Sequence, residues 1–445
     1  MSIAPIPDRA RFVSRPRPLT PPPTAQTVPS ARKAGFLVRL LCVFFIIFDF
    51  PGFTMQLAMD ATGKWVGSPI LQVMTISSEL FVIGVILGSA QVRALIVRCW
   101  PIWLLVGLAF MSAIWSRIPA ATIHTANTYM TVALFGVALV GLFPGFECVK
   151  LVIRTMALGC LLSIIWVILF PEVAIHQLTD PYQTVHAGLW RGIFSHKQGL
   201  GLFAGLTAGL LIFYRTAIYP MIVFLFFLGC AVACVFGTGS ATGLITMLIT
   251  PVVFFVAQFV ARLSIPMRGP AFVKFAAAAV LLIVAFKAGT FDYVIVQILG
   301  KSTDMTGRAD IWPIVLQNFA NSGYAFLGGG FGADIASDLS EWSVDNGFID
   351  KYLEFGVLFS PLVYFVFAAT LWWGIKLIVT TPNKDTNADV FPFAMWSIIL
   401  IANYTESNFM AKNLSTVLTS IALGLLFSSS PKNRPHQYRA QAGGL

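Results

Sequence analysis

The sequence predicts an all-α polytopic membrane protein, and three observations support this prediction. First, 57% of the 445 residues are hydrophobic and only 11% are charged, with a mean hydropathy of +0.81, whereas soluble domains are about a quarter charged. Second, apolar runs of about 20 residues recur along the chain, which is the length that a helix needs to cross a bilayer. Third, the sequence lacks the ten-residue alternating segments that are typical of a transmembrane barrel.

The membrane domain is expected to span residues 34–428, between two polar tails. Residues 1–33 are rich in Pro and Arg and have little to bury, so we expect a disordered cytoplasmic tail without a cleavable signal peptide. Residues 429–445 form a second expected tail. Proline, glycine and clusters of charge divide the domain into about 12 predicted transmembrane helices. These helices are 35–56, 69–89, 95–115, 121–143, 148–170, 197–215, 217–236, 241–261, 271–290, 355–379, 388–405 and 411–428.

Lysines and arginines predict the orientation, because the cytoplasmic loops of membrane proteins carry an excess of them. With the N-terminus inside and the helices alternating, 20 of the 29 basic residues fall inside and nine outside. Both termini are then cytoplasmic, and the loops 171–196 and 291–354 are external. The net charge of +10 therefore reflects topology rather than a nucleic-acid-binding surface.

No metal or other cofactor is expected from the sequence. The six cysteines lie in or beside apolar segments and show no CxxC spacing, so we expect neither disulfides nor a zinc site. His124, His176 and His186 show no metal-ligand spacing either, and they are interpreted as structural or solvated.

The loop 291–354 is the longest polar interval in an otherwise apolar chain. It contains seven Asp, two Glu, two Lys and one Arg, so we expect the chemistry of the protein to take place there. Its stretch GYAFLGGGFGAD lacks the Lys-Ser/Thr of a phosphate loop, which argues against nucleotide binding. Its glycines indicate tight turns instead.

The first candidate segment is LWRGIFSHKQGLG, in the shorter external loop. Arg191 precedes a predicted helix, and His196 and Lys197 follow it. Cationic groups at a helix N-terminus form an anion site, because the helix dipole and the free N–H groups add to their charge. The alternative is that Arg191 and Lys197 extend to lipid headgroups.

The second candidate segment is TGRADIW, in the long loop. Arg308 is the one arginine of that loop, and Asp310 and Trp312 follow it. Two external arginines, Arg191 and Arg308, would hold a diphosphate well, since a guanidinium matches the geometry of phosphate oxygens. The alternative is an interfacial helix with Trp312 at the headgroup level.

The third candidate segment is SVDNGFIDKYLEFG. Asp345 is either the N-cap of a helix or a general base that accepts a proton from a substrate hydroxyl, with Asn346 beside it. Asp350 and Glu354 are four residues apart and so share one helix face. Carboxylates close to the membrane need partners, and Lys351 is the adjacent candidate.

The fourth candidate segment is ANYTESNFMAKN, at the mouth of the last two helices. Asn403 and Glu406 either bind polar groups of the substrate or pair with Lys412. The intramembrane carboxylates Asp49 and Glu79 are either ligands in a pocket or partners in helix packing, of which packing is the commoner role.

Taken together, these segments resemble a known family. The phrases RGIFSHKQGLG, TGRADIW, GGGFGAD, DNGFIDKYLEFG and NYTESNF, in this order, resemble the superfamily of O-antigen ligases and Wzy-type polysaccharide polymerases. Within it the chain is most similar to the ExoQ-like exopolysaccharide polymerases. The resemblance covers roughly residues 40–428, and its specific matches lie in 188–201, 306–356 and 402–409.

The resemblance implies a GT-C-like membrane glycosyltransferase at the periplasmic face of the bacterial inner membrane. Such an enzyme takes oligosaccharide repeat units from undecaprenyl diphosphate and adds them to a growing polysaccharide, with inversion and without a metal. Arg191 and Arg308 match the family's arginines, whereas Asp345-Asn346 departs from the family's His-Asn or His-Ser. The implied partners are the lipid-linked oligosaccharide, the polysaccharide, membrane lipids, and chain-length or export proteins, with no nucleic acid.

Two other functions remain open on the sequence. One is an O-antigen ligase that transfers a glycan to lipid A core or to another acceptor, against which the missing histidine at position 345 argues. The other is a secondary transporter. Transporters keep ionisable groups near the bilayer midplane and often contain internal repeats, whereas here the charge is concentrated in one loop and no repeat is visible.

Overall fold

The structure is a computed structural model that describes residues 35–50, 69–179, 184–288, 308–335, 344–381 and 386–428. Within these ranges the chain is helical apart from turns and one isolated bridge between Ile175 and Trp190. The two predicted tails lie outside the described residues, as do parts of the long loop.

The described chain contains 16 α-helices, and π-helical or 3₁₀ turns extend some of them. A π-helical turn, Phe45–Asp49, continues the first helix, and 3₁₀ turns lie at Ser112–Ile114 and Thr184–His186. In chain order the helices are α1 Phe36–Phe44, α2 Pro69–Gly88, α3 Ala90–Arg98, α4 Trp100–Met111, α5 Pro119–Leu142, α6 Phe146–Leu169, α7 Pro171–Ala174, α8 Lys197–Ile218, α9 Met221–Thr238, α10 Ala241–Arg262, α11 Ile265–Lys287, α12 Arg308–Ala320, α13 Gly347–Thr380, α14 Thr386–Asp389, α15 Phe391–Asn403 and α16 Leu414–Ser428.

Eight helices of the described chain are long and apolar enough to cross a membrane, namely α2, α5, α6, α8, α9, α10, α11 and α13. The pair α3 and α4, bent by 71°, makes a ninth if it is a single span. The prediction of a multi-pass, all-helical membrane protein is thus confirmed at this level. The predicted number of 12 is not, because α15 and α16 are shorter than a usual span and α1 is followed by residues outside the description.

The loops that the sequence placed outside meet at one end of the bundle, which we call the loop end. The backbone N–H of Arg117 donates to the carbonyl of Gly329 at 3.0 Å, which joins the α4–α5 turn to the long loop. The hydroxyls of Thr242 and Thr405 are 3.0 Å apart and join the start of α10 to the α15–α16 turn. These two contacts join segments that the sequence placed on the same side of the membrane.

The segments that the sequence placed inside meet at the opposite end. Arg154 donates from Nη2 to the carbonyl of Ile218 at 2.9 Å, and the Tyr214 hydroxyl donates to the carbonyl of Asn387 at 2.7 Å. Arg268 is buried and donates to carbonyls at the C-terminal end of α13. Arginines at this end therefore satisfy the last carbonyls of several helices, which also suits the negative end of a helix dipole.

Helices α8 and α10 approach closely along a stripe of small residues. Gly201, Gly205 and Gly209 are four residues apart on one face of α8, and a Cβ on any of them would overlap atoms of α10 or of its N-cap. At Gly205 the obstruction is the backbone carbonyl of Gly243. In a bilayer, where apolar burial does not drive helices together, such small residues allow the close backbone contact that holds helices in place.

Helix α13 is broken at Gly356, where φ is 62°. Beyond the break, the N–H groups of Val357 and Leu358 donate to loop carbonyls, those of Ala325 at 3.0 Å and Phe326 at 3.1 Å. The sequence predicted this helix from residue 355, whereas it begins at Gly347. Three of the four charged residues of α13 (Asp350, Lys351 and Glu354) fall in the first arm, 347–355, and the fourth, Lys376, lies near the far end of the helix. We therefore take the membrane-spanning part to begin after the break.

Candidate functional site

The first arm of α13 begins with a capped turn at the loop end. Asn346 is the N-cap, and its Oδ1 accepts from the N–H groups of Phe348 at 3.0 Å and Ile349 at 3.2 Å. Asp345, for which the sequence left the cap role open, is therefore not the cap. It has φ of 43°, a left-handed conformation that is uncommon for a residue other than glycine and that clusters at functional sites.

Asp350 lies one turn into this arm and lines a small cavity of about 190 Å³ with Asp334 and Glu354. Burial is the main cause that raises its pKa to about 6, and the charges of Glu354 and Asp345 add to the effect. Lys351 and a hydrogen bond from Ser407 oppose this shift. Asp350 is thus a carboxyl group that exchanges a proton close to neutral pH.

Glu354 and Lys351 form a buried ion pair with an N–O distance of 2.5 Å. The other carboxylate oxygen of Glu354 accepts from the backbone N–H of Gly332 at 3.0 Å, and the Lys351 ammonium lies 4.8 Å from the centroid of the Phe331 ring. The partner that the sequence suggested for these carboxylates is therefore present. Glu354, predicted to bind substrate, also fastens the glycine loop to α13.

The turn between α15 and α16, residues 403–413, contacts several elements of the loop end. Asn403 is fully buried, and its Oδ1 accepts from the N–H groups of Asn408 at 2.9 Å and Phe409 at 3.1 Å. Glu406 accepts from the hydroxyl of Thr242 at 3.3 Å. Asn403, predicted to bind substrate, therefore shapes the turn, and Glu406 links that turn to α10.

Trp312 fixes the start of α12 next to Asp345. Its indole N–H donates to the carbonyl of Val344 at 2.8 Å, and its ring lies 5.5 Å from that of Tyr404, centroid to centroid. Arg308 and Asp310 belong to the first turn of α12, but their side chains lie outside the described part of the chain. The structure thus places the backbone of residues 308–312 beside the start of α13.

Arg191 is buried rather than directed towards lipid headgroups. It is 9% exposed, and its Nε donates to the carbonyl of Val173 at 2.7 Å. Its backbone N–H donates to the carbonyl of Ala174 at 2.8 Å. The shorter external loop therefore holds this guanidinium in place near the start of α8, which favours the anion-site interpretation over lipid contact for this residue.

Three histidines cluster at the start of α8, which the sequence analysis missed. The ring centroids of His176, His186 and His196 are 5.2 to 5.7 Å apart. His196 is the N-cap of α8 and accepts from the N–H of Gln198 at 3.3 Å, while His176 accepts from the N–H of Lys197. Among the described residues no group of His, Cys, Asp or Glu has an arrangement that could hold a metal ion.

The charged groups around His196 are positive. Burial is the largest of the effects that lower the pKa of His196 to about 3, followed by the positive potential of His176, His186, Lys197 and Arg191. The His196 imidazole is therefore neutral at pH 7, and it lies at the N-terminus of a long helix, beside Arg191 and Lys197. An anion placed here would lie beside the Arg191 guanidinium, the Lys197 ammonium and the positive end of the α8 dipole.

A cavity of about 230 Å³ joins the start of α8 to the 403–413 turn. Ser195 and Gly199 line it on the α8 side, and Asn408 and Lys412 line it on the other. The sequence suggested Glu406 or Asn403 as a possible partner of Lys412, but Lys412 pairs with neither. Its ammonium lies 2.7 Å from Oδ1 of Asp49 and also donates to Thr75 of α2 at 3.0 Å.

Most of the predicted site residues are thereby gathered at the loop end, in two neighbouring groups. One group surrounds the start of α13 and comprises Trp312, Asp345, Asn346, Asp350, Glu354, Asn403 and Glu406. The other surrounds the start of α8 and comprises Arg191, His196 and Lys197. Comparison of the sequence with protein-family models and with curated proteins gave no match.

Proposed function

We propose that the protein is an exopolysaccharide polymerase of the inner membrane, acting on undecaprenyl-diphosphate-linked oligosaccharides at the periplasmic face. The observation that carries the proposal is the convergence at the loop end of segments that are far apart in sequence. A cationic helix start and a carboxyl group with a near-neutral pKa lie on either side of one turn, residues 403–413. Transfer of a group from an anionic leaving group to a hydroxyl requires both features.

In the proposed reaction, the diphosphate lies against the start of α8. Arg191, Lys197 and the helix N-terminus face the negative charge that increases on the diphosphate as its bond to the anomeric carbon breaks. Because these groups are held in position before the reaction, they stabilise the transition state more than the ground state. Arg308, at the start of α12, is proposed as the second guanidinium on this leaving group.

The acceptor hydroxyl attacks the anomeric carbon with inversion and loses its proton to a carboxylate at the start of α13. A general base is most effective when its pKa is near the working pH, which favours Asp350 with its pKa of about 6. Asp345, the base expected from its sequence position, is the second candidate. The new bond joins the acceptor oxygen to the sugar, and undecaprenyl diphosphate leaves.

A groove beside the same arm suits the lipid part of such a donor. It has a volume of about 500 Å³ and an almost wholly apolar lining that includes Leu316, Phe348, Tyr352, Leu371 and Leu400 from α12, α13 and α15. A continuous apolar surface beside polar groups fits a ligand that has a long hydrocarbon chain and a charged head group.

The proposal is tested with purified protein in lipid nanodiscs and its undecaprenyl-diphosphate repeat unit, with the products separated on a gel. The wild type is expected to give a ladder of polymers, which Arg191→Ala, Arg308→Ala and Asp350→Asn abolish or strongly reduce. Glu147→Gln is the matched control, because this exposed carboxylate at the opposite end pairs only with Lys150 among the described residues.

Other outcomes would identify other functions. A product that forms only when lipid A core is supplied would make the protein a ligase. Absence of any glycan product with folded protein would overturn the proposal and favour transport. A ladder that is unchanged in all three site variants would contradict the proposed site but would still support the polymerase activity.

A further inference from the structure

Two exposed arginines lie on neighbouring helices at the end of the bundle opposite the loop end. Arg39 belongs to α1 and Arg154 to α6, and these two helices pack against each other. The positive charges of both act on the carboxylate of Glu147, in the first turn of α6, so the two guanidiniums lie near one point of the surface. Glu147 is itself paired with Lys150 at 2.9 Å. Within the described chain the two arginines are therefore cations that no ion pair neutralises.

Each of these arginines lies over an aromatic ring. The guanidinium carbon of Arg39 is 5.3 Å from the centroid of the Phe143 ring, and that of Arg154 is 5.6 Å from the centroid of the Tyr219 ring. Nη2 of Arg154 also donates to the carbonyl of Ile218 at 2.9 Å. These contacts hold the side chains in place but use few of their N–H groups. The remaining donors match the oxygens of a phosphate group, to which a guanidinium donates two parallel hydrogen bonds.

Aromatic residues place this end of the bundle at the level of the lipid headgroups. Tyr219 follows the end of α8, and Trp100 of α4 and Trp373 of α13 lie at the same end, with their ring centroids 5.7 Å apart. Tyrosine and tryptophan are enriched where the hydrocarbon of a bilayer meets water. An arginine over such a ring therefore has its guanidinium in the phosphate layer of the lipids.

Exposed apolar side chains continue from the arginines towards the middle of the bilayer. Leu40 and Phe44 follow Arg39 and share one face of α1, and Met221 and Leu225 share one face at the start of α9. Helix α6 packs against both α1 and α9, so each of these apolar strips lies beside the helix of Arg154. Positive charge in the phosphate layer with apolar surface beneath it fits a molecule that has an anionic head group and acyl chains. A soluble anion would use only the charge.

We propose that Arg39 and Arg154 bind the phosphate of an anionic phospholipid whose acyl chains lie along α1 and α9. Basic sites between transmembrane helices suit acidic lipid headgroups, and the orientation predicted from the basic residues makes this the cytoplasmic leaflet, where anionic lipids give a negative surface potential. The site lies at the opposite end of the bundle from the start of α8 and the start of α13. It is therefore separate from the groups proposed for glycan transfer and does not depend on that function.

The test measures lipid binding by native mass spectrometry of the full-length protein in detergent. Phosphatidylglycerol, phosphatidylcholine with the same acyl chains, and glycerol phosphate are titrated separately, and the dissociation constant of the first bound molecule is determined for each. Phosphatidylglycerol is expected to bind about tenfold more tightly than phosphatidylcholine, because the choline ammonium offsets the phosphate charge that the arginines attract. Glycerol phosphate, which lacks acyl chains, should bind far more weakly than phosphatidylglycerol.

Substitutions locate the binding. Arg39→Gln and Arg154→Gln should each weaken phosphatidylglycerol binding about tenfold. Arg39 is exposed and has only a ring contact in the described chain, so its replacement retains the fold. Arg154→Lys keeps the charge and serves as the second variant if Arg154→Gln does not fold; loss of the fork geometry should weaken binding about threefold.

Arg262→Gln is the matched control. Arg262 is an exposed arginine in the last turn of α10, at the same end of the bundle, and it makes no aromatic contact with described residues. Its replacement removes the same charge from the protein and should leave the dissociation constant of phosphatidylglycerol unchanged. The basic residues that precede residue 35 are present in every variant, so their attraction for anionic lipid is the same throughout.

Each outcome decides the inference. Equal affinity for the two phospholipids overturns it, as does an equal loss in Arg39→Gln and Arg262→Gln. Unchanged binding in both Arg39→Gln and Arg154→Lys also overturns it. Glycerol phosphate that binds as tightly as phosphatidylglycerol would replace the lipid site by a site for soluble anions. Because no glycan transfer is measured, these results stand independently of whether the polymer ladder forms.

Discussion

The indole N–H of Trp312 donates to the carbonyl of Val344, the residue directly before Asp345, at 2.8 Å. This bond fastens the start of α12 to the backbone that presents Asp345 in a left-handed conformation. We predict that Trp312→Phe lowers turnover about two- to tenfold, because a hydrogen bond contributes about 0.5–1.5 kcal/mol to holding this geometry. Trp372→Phe, at an exposed position of α13, is the control and should leave turnover unchanged in the gel assay. Equal losses in both variants would show that the bond does not matter.

Asp350 should determine how turnover decreases at acidic pH, which is the acidic limb of the pH profile. With its pKa raised to about 6, the proposed base is protonated below that pH, so wild-type turnover should rise as the pH increases through 6. Asp350→Asn is expected to lower turnover by about a hundredfold to ten-thousandfold and to remove this limb. Asp345→Asn should have a smaller effect and keep the limb; the reverse pattern would identify Asp345 as the base.

Asp350 should also make the free energy of unfolding depend on pH. A carboxyl group whose pKa is higher in the folded state than its usual value of about 3.9 binds more protons when folded. The wild type should therefore lose stability as the pH rises from about 4 to about 6, relative to Asp350→Asn. Thermal unfolding of both proteins in nanodiscs across this range measures the difference. A wild type that gains stability over the same interval would show that Asp350 is not buried in this way.

His196 is predicted to remain neutral in the free protein well below neutral pH. Its folded pKa of about 3 lies under the usual value of about 6.5, so the unfolded chain binds more protons between these values and stability falls as the pH drops. Nitrogen NMR of labelled histidine should show no titration of His196 from pH 8 to 5. Addition of inorganic pyrophosphate should raise its pKa if the anion binds at the start of α8, and an unchanged pKa would argue against that site.

The ion pair of Asp49 and Lys412 should stabilise the fold strongly, because loss of one partner leaves a buried charge. Lys412→Met is expected to cost about 3–5 kcal/mol, and the double variant Asp49→Asn with Lys412→Met much less. Lys150→Met, which breaks the exposed pair with Glu147, should cost about 0–1 kcal/mol. Denaturant unfolding in detergent measures all three variants. A cost for Lys412→Met no larger than for Lys150→Met would mean that Asp49 has access to water.

The close contact of α8 and α10 leads to a last prediction. A side chain at position 205 would overlap the backbone of Gly243, so Gly205→Val should destabilise the protein by about 3 kcal/mol or more. Gly229→Val on α9 is the control, because no atom lies within 4 Å of where its Cβ would be. Size-exclusion profiles and thermal unfolding compare the two. A folded, stable Gly205→Val protein would show that these helices separate easily.

The helices and the two ends of the bundle were predictable because local patterns encode them. Hydropathy alone located α5, α6 and α8 to within a few residues, whereas the orientation inferred from the basic residues stays a prediction. The clustering of the four candidate segments was likewise expected from their common side. Their chemical roles remain predictions, because geometry alone does not report a reaction.

The long-range pairs of the site were not predictable. Lys412 pairs with Asp49, which is 363 residues away, and the histidine cluster unites positions whose spacing fits no motif. The sequence left open whether Asp345 is an N-cap, and the structure gives that role to Asn346. Both Asp and Asn are good caps, so only the backbone conformation distinguishes them. Such contacts depend on how helices pack and leave no periodic trace in the sequence.

The break at Gly356 restricts how the long loop can move. The two amides beyond the break are bonded to Ala325 and Phe326, so lifting this part of the loop would strand two N–H groups at the edge of the hydrocarbon, at a cost of several kcal/mol. The segment 325–332 therefore cannot swing as a lid, and it moves only together with the upper half of α13. Under the proposed function, a bulky lipid-linked sugar would have to enter through a gap between helices, in the plane of the membrane, rather than beneath a hinged cover.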